Sequence, residues 1–142
     1  MKTVKLKSLI AVIAMLFVSV TTIHAQKNPH HVGEFGRGPH GGTIQEAEPN
    51  HAEILVKDSK VYIYFLDGDT KPISNKGITG KAMLQFKDGS TANAKLVADG
   101  TGGFVIDNAK AATYSNCIIT AKVNGKSVSA KFKSKDIIKL KP

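Results

Sequence analysis

The chain lacks tryptophan, holds one cysteine and one arginine, and carries no glutamate or histidine after Glu53. Each shortage excludes something. A lone Cys117 rules out a small domain stapled by disulfides, which needs cysteines in pairs. A single Arg37 argues against nucleic-acid recognition, where bidentate contacts to phosphates and bases favour arginine. No collagen or coiled-coil period is present. Gly-x-Ser-x-Gly, His-Glu-x-x-His and a phosphate-cradling glycine loop are all missing, so the sequence indicates no enzyme. Asp67-Gly68-Asp69 lacks the acidic ladder of a calcium loop and reads as a turn. What is present is a core: 42% of residues are hydrophobic, and the runs of Val, Ile, Leu and Phe exclude a disordered chain.

A continuous apolar stretch occurs only near the start. Lys2, Lys5 and Lys7 precede Leu9 to Val20, which gives way to Thr22-Ile23-His24-Ala25. This is the basic, apolar and small-residue order of a secretory signal, and the stretch is short for a bilayer crossing of about 20 residues. Cleavage before Gln26 leaves 117 residues, enough for one core and too few for two. The mature protein is expected to be soluble, without a transmembrane segment, and periplasmic or secreted. Cys117 alternates with Ile119, Ala121 and Val123 and reads as a buried, inert thiol.

The mature chain has two compositional parts. All four of its His (His30, His31, His40, His51) and all its Glu fall between His30 and Glu53, whereas from Lys57 onward fifteen Lys face seven Asp. The Lys are scattered along outward faces, as on a solvated basic surface. Strand signals recur about every ten residues: Ala52 to Lys57, Lys60 to Leu66, Gly80 to Lys87, Thr91 to Val97, Gly103 to Ile106, Cys117 to Val123 and Ser127 to Phe132. Asp58-Ser59, Asp88-Gly89 and Asn124-Gly125 supply the tight turns. Only Asn108 to Thr113 suggests helix, a turn or so. The pattern predicts an all-β fold, an antiparallel immunoglobulin-like β-sandwich of six to eight short strands, with a small barrel as the alternative. The expected organisation is a signal peptide over 1–25, a flexible His/Gly-rich arm over 26–39 and the β-domain over 40–142.

The His/Glu segment is where chemistry can sit. Imidazole is the commonest protein metal ligand, and carboxylates complete its shell for Zn²⁺, Cu²⁺, Ni²⁺ or Co²⁺. On a strand, His51 and Glu53 project from one face about 6.8 Å apart. His40 precedes Gly41-Gly42, where the backbone can bend sharply. His30 and His31 are further candidates, ahead of any expected strand. One mature Met and a buried Cys argue against a soft Cu(I) site.

Pro39-His40-Gly41-Gly42, then His51-Ala52-Glu53-Ile54-Leu55, then Val61 to Asp67 with Lys71-Pro72-Ile73, resembles small exported proteins that accompany resistance-nodulation-division heavy-metal efflux systems. It is also similar to a β-rich periplasmic segment of the efflux adaptors for copper, zinc and cobalt. The resemblance spans His40 to Gly80. It implies a periplasmic protein that binds or hands over a transition metal through His40 and His51, with Glu53 a weaker ligand and an efflux adaptor as partner. The expected function is therefore a non-enzymatic metal buffer or delivery protein. The alternative is an envelope interaction module that binds another protein or a glycan without metal.

Overall fold

The computed structural model describes residues 36–137; the expected signal peptide, His30 and His31 lie outside the described residues. The fold is all-β and antiparallel: Thr43–Ala47 (β1), Asn50–Lys57 (β2), Lys60–Leu66 (β3), Thr79–Gln85 (β4), Thr91–Ala98 (β5), Phe104–Ile106 (β6), Asn116–Val123 (β7) and Lys126–Lys133 (β8). All eight belong to one sheet, in the order β1-β2-β3-β6-β5-β4-β7-β8. The sheet rolls until β8 touches β1 and β2 without pairing to them. The result is nearly a barrel whose two halves, β1-β2-β3 and β4-β7-β8, are bridged by β6 and β5 and share one core.

Alternation puts Ala52, Ile54, Val61, Ile63 and Phe65 inside, with Ala82, Leu84, Cys117, Ile119, Val128, Ala130 and Phe132 from the other half. Phe65 and Phe104 meet edge to face at 6.0 Å, a favoured aromatic geometry. Ala111–Thr113 form a single 3₁₀ turn that sets Ala111 and Tyr114 into this core, where the sequence suggests a turn of helix. The hairpins close on turns with positive φ at Asp58 and Ser59 (50° and 61°) and at Asn124 and Gly125 (49° and 79°), as type I′ turns require. Among the described residues no helix is long and apolar enough to cross a membrane.

β1 is a strand the sequence reading did not include. Its inward residues are Thr43, Gln45 and Ala47, paired with the core-facing side of β2, while Ile44 lies on the outer face opposite Glu53. With its one large apolar residue pointing away from the core, it shows no amphipathic signature. Arg37, which the sequence assigns to the arm, forms an isolated β-bridge with Thr43.

Candidate functional site

The site forms where the segment 36–42 folds over the outer face of β2. The Gly41 N–H donates to the Gly38 carbonyl at 2.9 Å, closing a turn with Pro39 in its second position. There the fixed φ of proline is favoured. Gly41 follows at φ +86°, and the Gly38 N–H returns to the Gly42 carbonyl at 2.9 Å. The loop lies so close to the strand that a Cβ on Gly38 would fall into the Glu53 carboxyl group, and one on Gly42 onto the Ile54 carbonyl oxygen.

This approach seals Glu53, which has no solvent exposure. A buried carboxylate is tolerable only when its charge is compensated. The Gly42 N–H donates to Oε1 at 2.7 Å and the His40 N–H to Oε1 at 3.0 Å and Oε2 at 3.3 Å. The His40 ring sets Nδ1 2.8 Å from Oε2. The loop is thus a small nest of N–H groups around an anion. With Nδ1 donating to Glu53, Nε2 is the ring nitrogen turned away from the carboxylate.

The His40 ring is further fixed by Tyr64, stacked on it at 3.6 Å between centroids and 7° between planes. Tyr64 also backs onto Gly103, where a Cβ would fall in its ring. Burial pushes the Tyr64 hydroxyl above its ordinary value, against a hydrogen bond from Thr101 that lowers it. Tyr64 stands directly opposite Glu53 on β3, which is why the imidazole, the phenol and the carboxylate meet.

No family model, curated protein or solved structure matches the chain. The reading of the site therefore stands on its geometry. Of the residues the sequence put forward, His40 and Glu53 come together. His51 shares the outer face of β2 but is tied elsewhere, with Nδ1 3.0 Å from the Asp67 carbonyl oxygen. Among the described residues no group of three or more His, Cys, Asp or Glu is gathered about a point. Asp67 accepts from the Asp69 and Lys71 N–H groups and makes the turn expected of it.

The sequence reading passed over Tyr64 and the close-approach glycines Gly38 and Gly42 as partners of Glu53. One signal pointed to them: Glu53 is a lone acid inside the apolar run Ala52 to Val56, a placement that demands a cover of donors. Cys117 is fully buried as expected, with burial raising its thiol from 9.0 to about 12.

Proposed function

We propose that the protein is an exported, non-enzymatic carrier of a divalent transition metal, Zn²⁺, Cu²⁺, Ni²⁺ or Co²⁺, with His40 as its anchored ligand. One observation carries this reading: Nδ1 of His40 is held on a buried carboxylate at 2.8 Å. Ligating histidines nearly always have their second ring nitrogen on such a partner, which fixes the tautomer and raises the basicity of the other nitrogen. Glu53 then orients the ligand instead of joining it. A single pre-oriented imidazole binds weakly and exchangeably, which suits hand-over to an efflux adaptor better than storage. His30, His31 and His51 are the remaining imidazoles from which this chain can complete a shell. Binding weakens on acidification, because imidazole must be deprotonated to ligate.

The test is the melting temperature of the mature chain, residues 26–142, with each of the four ions at pH 7. An ion that binds only the folded state raises it with concentration. His40→Asn keeps a side-chain N–H for Glu53 while deleting Nε2, and is expected to abolish the rise. If none of the four ions shifts melting, the carrier reading is wrong.

A second reading is favoured by the saturation of Glu53. Three N–H groups already occupy its oxygens, as in a lock that fastens residues 36–42 to the sheet. On this reading the protein is an envelope interaction module, and metals leave its melting unchanged.

A further inference from the structure

The outer face of β5, β4, β7 and β8 carries Lys95, Lys81, Lys122, Lys131 and Lys133, and these four strands contain no acid. None of the five forms an ion pair with a described residue. Lys131 and Lys133 lie on the edge strand β8, where lysine discourages edge-to-edge association. That account fails for Lys81, Lys95 and Lys122, which stand on strands paired at both sides. Lys81 is directly opposite Lys95, a like-charge cross-strand pair that costs stability. An arrangement that opposes folding, with no ion-pair partner among the described residues, suits an external countercharge.

The rest of the face narrows the ligand. Lys81 lies opposite Thr120, and Lys122 opposite both Thr79 and Ser127. These five residues line one shallow depression, which brings amine- and hydroxyl-bearing residues side by side. Asn93, Gln85 and Asn116 extend the polar row, while Met83 and Val97, the exposed large apolar residues among those described, lie on the same face. Among the described residues these four strands put no aromatic ring on this face on which a nucleobase could stack. Met83 sits in mid-sheet on β4, opposite Asn93 and Ile118 and next to the longer Lys81 along the same face, a poor position for entering a lipid surface. Charge, hydrogen-bonding groups and small apolar patches on the outer face of the rolled sheet together suit sugar rings bearing carboxylates.

We propose that this face binds an acidic polysaccharide, seated across the Lys81/Lys122 depression and along Lys95 and Lys131. It lies on the opposite half of the sheet from Glu53 and gives the interaction-module reading a surface and a ligand class. It requires no metal. The mature chain is titrated with alginate, a polyuronate, and with neutral dextran, in the presence of a metal chelator. Saturable binding to alginate alone is expected, weakening steeply with salt as charges are screened. Lys81→Gln/Lys122→Gln should weaken it about tenfold or more, a factor worth about 1.4 kcal/mol. Lys110→Gln/Lys135→Gln, which removes the same charge elsewhere, should leave it within about twofold. The first pair is solvent-exposed, and loss of Lys81 relieves its repulsion with Lys95, so melting should not fall. No binding to alginate overturns the proposal. So does equal weakening by both pairs, or binding to phosphatidylglycerol vesicles in preference to alginate. Any of these outcomes leaves the metal titration unaffected, so the two readings fail separately.

Discussion

A carboxylate removed from water costs several kcal/mol unless donors replace its hydration. Glu53 has two backbone N–H groups and an imidazole in that role, and its neighbours are shaped by it: glycine at 38 and 42 because nothing larger fits, proline at 39 because the turn needs its φ. Glu53→Ala leaves those donors unpaired in a sealed site and is expected to cost about 3 kcal/mol or more. Glu53→Gln keeps one acceptor oxygen and should cost roughly 1–2 kcal/mol. Urea denaturation of both variants measures this, and equal stability of Glu53→Ala and wild type would show that the carboxylate is dispensable to the loop. At Asp99, burial raises the carboxyl, but hydrogen bonds from Thr101 and Gly103 outweigh it and hold the group below its ordinary 3.8. A depressed folded-state value stabilises above the unfolded one and is lost as pH falls through the folded one, so Asp99 contributes to loosening of the β5–β6 turn in strong acid.

At the scale of elements, the hairpins are set by their turn residues. Asn124-Gly125 places the two residues most tolerant of positive φ at a type I′ turn, and Asp88 closes its own turn by accepting from the Ser90 N–H and hydroxyl. Asp58-Ser59 performs the same bend less well, since Ser59 sits at φ +61°, where a side chain costs about 1–2 kcal/mol. Ser59→Gly is therefore expected to stabilise by up to roughly 1 kcal/mol after its larger unfolded-state entropy is charged against it. The denaturant midpoint reads the change, and a lower midpoint would contradict the turn geometry. Strands flanked by such turns were legible in the sequence because their apolar residues alternate. β1 was not, because its one large apolar residue, Ile44, lies on the outer face opposite Glu53, where it is nevertheless buried.

For the molecule as a whole, one core joins both halves of the sheet, so they should unfold together. Tyr62 and Tyr64 lie on β3 and Cys117 on β7; in a Tyr114→Phe variant, which removes the tyrosine buried in the shared core ahead of β7, they give a probe in each half. Native Cys117 is fully buried, with its thiol raised to about 12; since the thiolate is the reactive form, a thiol reagent at pH 8 should label it only on unfolding. Labelling of Cys117 and loss of tyrosine signal are expected to share one denaturant midpoint, as two-state folding requires. A separated labelling transition would mean that β4-β7-β8 opens alone.

Strand periodicity, turn chemistry and the buried thiol were determined by the order of residues, because each depends on neighbours a few positions away. His40 and Glu53 were both marked as candidates by residue type, but their union was settled only in three dimensions. Thirteen positions separate them, and they meet because a Gly-Pro-His-Gly-Gly loop returns over β2. The gathering of lysines onto one face likewise followed from register, which set Lys81 against Lys95 although they are fourteen positions apart in the chain. Local propensity is encoded residue by residue, whereas charge compensation and charge crowding arise when distant strands are brought side by side.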